Sequence, residues 1–177
     1  TVTRTVVVFD ATLPIITLNG LSTLNHEQGT VYNDEGAAAT DNIDGDLTAS
    51  VVKSGSVNVN VAGSYILSYN VQDAASNDAI TVTRTINVRD TTAPVITLTG
   101  DAEINHELGM AYTEAGATAS DSADGDLSAN IVVTGLVDIN TAGTYIISYN
   151  VSDSTSNAAI EVTRTVMIAK AEVVLKI

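Results

Sequence analysis

The chain has no cysteine and no tryptophan, and one phenylalanine, in 177 residues. Without cysteine no disulfide can staple a small domain, and thiolate chemistry is excluded. The absence leaves the cellular compartment open. With so few large aromatics, any core must be built from Val, Ile, Leu, Ala and Tyr. Positive charge is also scarce: 7 basic residues stand against 21 acidic ones. That balance argues against nucleic acid or anionic lipid as a partner, because phosphate recognition needs clustered Lys and Arg. No apolar run is long enough to cross a bilayer as a helix, so no membrane insertion is expected. G-x-S-x-G, G-x-G-x-x-G and Walker loops are all missing.

What the chain does have is repetition. Asp10-Ala11-Thr12-Leu13-Pro14-Ile15-Ile16-Thr17-Leu18 returns as Asp90-Thr91-Thr92-Ala93-Pro94-Val95-Ile96-Thr97-Leu98, and Asp44-Gly45-Asp46-Leu47 returns as Asp124-Gly125-Asp126-Leu127. Across 80 aligned positions, without insertion or deletion, 42 are identical. A fixed period marks tandem modules. Duplication suits a spacer or an adhesive unit better than an active site, and no enzyme activity is expected. The boundaries read as residues 1–9, the last strand of a truncated preceding repeat; 10–89, repeat one; and 90–177, repeat two with a C-terminal tail that does not restart the pattern. Thr1 to Phe9 earns its assignment by matching Thr81 to Arg89. Left alone, it is expected to fray or to pair in trans with a sheet edge of another copy. Any export signal is expected upstream of it.

Within a repeat the apolar period is two. Tyr65, Leu67, Tyr69 and Val71 alternate with Ile66, Ser68 and Asn70, the pattern of a half-buried strand. Asn-Gly, Asp-Gly and Ala-Gly bound the runs. Strands are expected near 15–19, 24–27, 37–40, 49–54, 56–60, 65–72 and 80–88, and again at plus 80. Short strands at this spacing predict an all-β fold of two tandem Ig-like antiparallel sandwiches. Tyr65 and Tyr145 sit where immunoglobulin domains carry a corner tyrosine whose hydroxyl bonds back to the main chain.

These residues resemble a family of Ig-like repeats from bacterial surface proteins. Its members open with D-x-T-x-P-x-I-T-L, continue through G-x-x-Y-x-x-x-G-A-x-A-x-D-x-x-D-G-D-L, and close with G-x-Y-x-x-x-Y-x-V-x-D-x-x-x-N and V-T-R-T. The middle block here runs from Gly29 through Tyr32 and Gly36 to Leu47, and the closing block from Gly63 to Asn77 and on to Thr85. One departure is Ser76 and Ser156, which stand where the family has glycine before the late Asn. The resemblance implies an extracellular or cell-surface setting, within large exported adhesins or multi-domain surface proteins, with neighbouring repeats of the same polypeptide as partners. It implies no chemistry.

The acids are not scattered. Asp10, Asp41, Asp44, Asp46 and Asp73 recur as Asp90, Asp121, Asp124, Asp126 and Asp153, ten of the 21 acidic residues. In an Ig-like sandwich the start of the first strand, the B–C loop and the F–G loop share one pole, so each set of five is expected to converge. Two carboxylates about 5 Å apart repel by about 3 kcal/mol at an effective dielectric of 20. A hard cation relieves this. Calcium, which takes about 6–8 oxygen ligands in a loose geometry, is the expected cofactor; zinc is not, without Cys or clustered His. The loop is no EF-hand, because its glycine is misplaced. The plainer alternative is an Asp-Gly-Asp turn with solvated charges.

The expected role is a calcium-stiffened extension or adhesive module. The alternative is a carbohydrate-binding accessory of a secreted enzyme, with a surface or polysaccharide ligand. An exposed Tyr32 and Tyr112 would favour that alternative, and burial of all six Tyr the spacer. His26-Glu27 and His106-Glu107 lack the second histidine of a zinc-protease helix and read as turn residues. Arg84 and Arg164 read as partners of a nearby acid or as guards of a sheet edge.

Overall fold

Val, Ile and Thr dominate the strands because β-branched side chains fit a pleated, half-buried surface. The computed structural model describes residues 1–171 and divides the chain into two units, Thr1–Asp90 and a second from Thr91 onward. The first holds β1 (Ile15–Leu18), β2 (Thr23–Glu27), β3 (Ala37–Asp41), β4 (Gly45–Asp46), β5 (Val52–Ser54), β6 (Gly63–Asn70) and β7 (Val82–Arg89). The second holds β8 (Val95–Leu98), β9 (Glu103–Glu107), β10 (Ala117–Asp121), β11 (Gly125–Asp126), β12 (Val132–Thr134), β13 (Gly143–Asn150) and β14 (Val162–Ala169).

Each unit is a two-sheet sandwich. In the first, β1-β3-β4 faces β2-β7-β6-β5. Pairing is antiparallel except between β2 and β7, which run parallel. That exception has a local cause. After β1 the chain crosses to the opposite sheet through Gly20, whose φ of +82° suits glycine and few other residues. It then continues in the same direction as β2. The second unit repeats the arrangement, with β9 parallel to β14.

The alternation selects the core. β6 turns Leu67 and Tyr69 inward, and β7 turns Arg84, Ile86 and Val88 inward. Ile16, Ala37 and Ala39 close the cluster from the other sheet. The second core is built from Ile96, Ala119, Ile147, Tyr149, Val166 and Ile168. Each fully buried aliphatic side chain, such as Ile86 or Val166 at 0% exposure, contributes about 1.5–3 kcal/mol. Tyr65 donates to the Val61 carbonyl at 2.8 Å and Tyr145 to that of Thr141 at 2.9 Å. This is the expected corner.

Two strand expectations fail. Residues 49–54 are not one strand: Thr48–Ser50 forms a 3-10 turn, and only Val52–Ser54 pairs with β6. Residues 56–60 form no strand. Gly55 at φ +91° turns the chain off the sheet edge, and the Asn60 amide closes a turn on the Asn58 side chain at 3.1 Å. Residues 1–9 form no strand, and Val2, Val6, Val7, Val8 and Phe9 are exposed. The segment is not docked as an ordinary strand of its own unit. The stretch 172–177 lies outside the described residues, and with it most of the expected tail.

Candidate metal centre

The loops around the acids are shaped by the acids themselves. Aspartate favours turns because its carboxylate accepts main-chain N–H groups two or three residues on. Asp10 Oδ1 accepts from Thr12 N at 3.0 Å, and Asp41 Oδ1 from Ile43 N at 2.7 Å and Asp44 N at 3.1 Å. Asp44 Oδ2 crosses to the next loop and accepts from Ala74 N at 2.9 Å. Asp73 Oδ1 accepts the Asn77 amide N–H and Oδ2 its side-chain Nδ2, both at 2.7 Å. Asn77 also reaches the Asp10 carbonyl at 3.4 Å, which ties the segment entering β1 to the loop between β6 and β7.

The turns of Asp10 and Asp41 each engage one carboxylate oxygen and leave the other without a partner, whereas Asp73 has both oxygens engaged by Asn77. Asp10, Asp41, Asp44 and Asp73 each place an oxygen within 4.8 Å of the others. Asp10 Oδ2 and Asp41 Oδ2 are buried and accept no hydrogen bond. Buried acceptors without a partner are costly, and these two lie in one all-oxygen group. That donor set fits a hard cation such as calcium and gives zinc nothing it prefers.

Asp46 is not part of this group. It is exposed, and its Oδ1 accepts Thr48 N at 2.9 Å at the start of the 3-10 turn. Asp126 serves Ser128 in the same way. In the second unit Asp124 and Asp153 place oxygens within 4.8 Å of each other. Asp121 folds its own turn on Ala123 and Asp124, with Oδ2 buried and unpartnered. Asp90 ends the first unit and is buried. Asp124 differs from Asp44: it accepts both the amide and the hydroxyl of Ser154, at 2.7 and 2.9 Å, where the first repeat has Ala74.

Hydrogen bonds shift several of these carboxyls. The Ile43 and Asp44 amides hold Asp41 below the ordinary carboxylate range. For Asp153, burial pushes the value up, but hydrogen bonds from Asn157 and Thr155 outweigh it and the net shift is downward.

A second polar centre was only partly legible. Arg84 and Arg164 are buried to 2% and 0% exposure. Arg84 pairs with Asp34, donates to the Leu21 carbonyl at 3.0 Å and stacks 5.7 Å from the Tyr69 ring centre. Arg164 pairs with Glu114. The arginines were expected to meet an acid, but Asp34 and Glu114 went unnamed. The signal was available, since both repeats carry an acid there, disguised by the Asp-to-Glu exchange. Burial raises the Asp34 value, yet hydrogen bonds from Tyr69 and Lys53 prevail and hold it below the ordinary range.

Other candidates are settled by geometry. His26 Nε2 lies 3.1 Å from the Thr30 carbonyl, and His106 Nε2 lies at the same distance from that of Met110, so both are turn residues. Tyr32 and Tyr112 are half-buried and edge-on to these histidines. Neither aromatic criterion is met in full: no tyrosine is exposed, and only Tyr69 and Tyr149 are fully buried. No described helix is long and apolar enough to cross a membrane.

The family model for "Bacterial surface protein, Ig-like domain" matches residues 16–88 and 96–168. No curated protein matches the chain. Among solved structures, the M60 catalytic domain with the CBM51-1 and CBM51-2 domains of Clostridium perfringens ZmpB aligns with a TM-score of 0.53 at 12% identity, over 89% of this chain and 31% of that one. At that identity the likeness is one of fold, and the chain spans about a third of that structure. A lipoprotein from Bacteroides thetaiotaomicron aligns at 19% identity and a TM-score of 0.40, over 82% of this chain and 96% of its own. CBM51-2 in complex with GlcNAc and INT domains from Clostridium perfringens ZmpB aligns at 21% identity and 0.37, over 77% and 29%.

Proposed function

The chain belongs to the family of bacterial surface-protein Ig-like domains, and from that premise we propose that it is a non-catalytic, calcium-stiffened extension or adhesive module of an extracellular protein. The observation that carries this is the pair of buried, unpartnered oxygens on Asp10 and Asp41, in one group with Asp44 and Asp73. Asp10 lies on the segment entering the repeat, Asp41 at the end of β3, and Asp44 and Asp73 on its loops. A cation held by all four ties entry to body and cancels their repulsion. By repeat equivalence Asp121, Asp124 and Asp153 are the corresponding acids of repeat two, and of these Asp124 and Asp153 meet.

The test is thermal unfolding in calcium and in chelator. Ligand at 100 times its dissociation constant adds about 2.7 kcal/mol, a rise on the order of 10 °C for a unit of this size. Asp41→Asn should remove most of that rise in the first unit, whereas Asp46→Asn should leave it. Equal midpoints in calcium and chelator sink the proposal. The carbohydrate-binding alternative called for exposed Tyr32 and Tyr112, and both are half-buried against a histidine ring.

Residues 1–9 repeat the sequence of β7 without forming it, and they leave five apolar side chains exposed. Their proposed partner is a sheet edge of a second copy. Deleting residues 1–9 should reduce self-association in sedimentation at high concentration and leave both thermal transitions in place.

A further inference from the structure

The two repeats share their strand pairing but differ in the residues around one cleft. In the first unit a cleft of about 490 Å³ opens between residues 31–34 and 53–59, with buried Leu67 as its floor. Gly55 creates it. A side chain there would overlap the Ile66 carbonyl oxygen, and the turn that glycine permits peels the chain off β6 after Ser54. Gly29 N to Val59 O at 2.8 Å ties one end of the peeled segment. Lys53 Nζ to Asp34 Oδ2 at 3.2 Å ties the other. Val31, Val57, Val59 and Leu67 give the lining an aliphatic side, and Asp34 and Lys53 a charged one.

Lys53 is what sets this cleft apart. It is one of only seven basic residues. Its side chain is half exposed, while Asp34 beside it is buried and already accepts Arg84 and Tyr69. Two cations therefore meet one carboxylate, a local positive excess in a chain of net charge −14. The second repeat keeps Gly135, Tyr112, Tyr149 and Arg164, but it has Val133 for Lys53, Leu136 for Ser56 and Asp138 for Asn58. There the pairing is one Arg to one Glu, the strand carries Val133 in place of the base, and the loop after it gains an acid, Asp138, where the first repeat has Asn58. The fold does not require the lysine, since the repeat without it folds the same way.

The geometry points to a ligand site in the first unit for a small amphiphilic carboxylate, its apolar chain against Val57 and Leu67 and its carboxylate on Lys53. Such a ligand brings the Arg84–Asp34–Lys53 group to neutrality, and a cleft of this volume is within the range of small-molecule pockets. A hydrogen bond to a charged donor is stronger than a neutral one, so the carboxylate rather than the chain alone sets the preference. The site is independent of calcium.

The test is an amide NMR titration of the full chain with hexanoate and, in parallel, with 1-hexanol. Hexanoate should move the Val31, Lys53 and Val57 amides to saturation and leave Ala111, Val133 and Val137 in place. Hexanol should bind at least about fivefold more weakly. Lys53→Met, which keeps the aliphatic stem, should bring hexanoate down to the level of hexanol, and Lys53→Arg should restore the preference; the spectrum itself reports whether either variant is folded. Equal response in both units, equal binding of acid and alcohol, an unaffected Lys53→Met, or no saturable response overturns the proposal.

Discussion

At the scale of single residues the unusual choice is an arginine in an aliphatic core. Arg84 occupies an inward position of β7, over the Tyr69 ring, because Asp34, Tyr69 and the carbonyls of Asn19, Leu21 and Gly36 satisfy its donors. Breaking a buried pair by removing one member is far more damaging than never having it. Arg84→Met is expected to destabilise the first unit by about 3–5 kcal/mol, since it leaves the Asp34 side chain, at 8% exposure, with half-exposed Lys53 as its one cationic partner among the described residues. Arg164→Met should cost less, because the Glu114 side chain is 25% exposed and can turn to water. Calorimetry resolving the two transitions checks both, and equal losses would contradict the argument.

At the scale of elements, turns decide where pairing stops. The loop between β6 and β7 keeps left-handed geometry at Ser76, φ 73°, where glycine would be unstrained, because Asp73 and Asn77 clamp it from both sides. Ser156 holds the same positive φ of 73° at the equivalent turn of the second repeat. Gly55 is the opposite case, a position with no room. Gly55→Ala is expected to cost more than about 1 kcal/mol and to disturb the β5–β6 register, read as lost amide protection at Ser54 and Ser68. Unchanged exchange at both would mean that the edge is not held where the structure holds it.

At the scale of the whole molecule, charge sets the response to pH. Asp34, Asp41 and Asp153 have values lowered from the ordinary 3.8. A group whose folded value is depressed adds stability above its unfolded value, and that stability is lost as pH falls through the folded one. Metal-free protein should therefore hold its melting temperature between pH 7 and about 5, then lose it below about 4. Protonating the other clustered acids relieves repulsion and opposes this, but that relief does not replace the ionic partner of buried Arg84. A melting temperature that climbs below pH 4 would show repulsion to be the larger effect.

Sequence alone determined the module count, the β period and the outline of the core, because a two-residue alternation and an 80-residue repeat are local facts. It also drew attention to the recurring aspartates. Tertiary structure decided which of them meet. Asp46 lies two residues from Asp44 yet leaves the group, because Asp44 sits in the turn after β3 and bonds across to Ala74, whereas Asp46 has entered β4 and is engaged by the Thr48 amide. The Arg84–Asp34 pair joins residues 50 apart in sequence, and the cleft beside Lys53 exists only because Gly55 leaves the sheet. No local pattern carries such facts, since they depend on how separate segments pack in space.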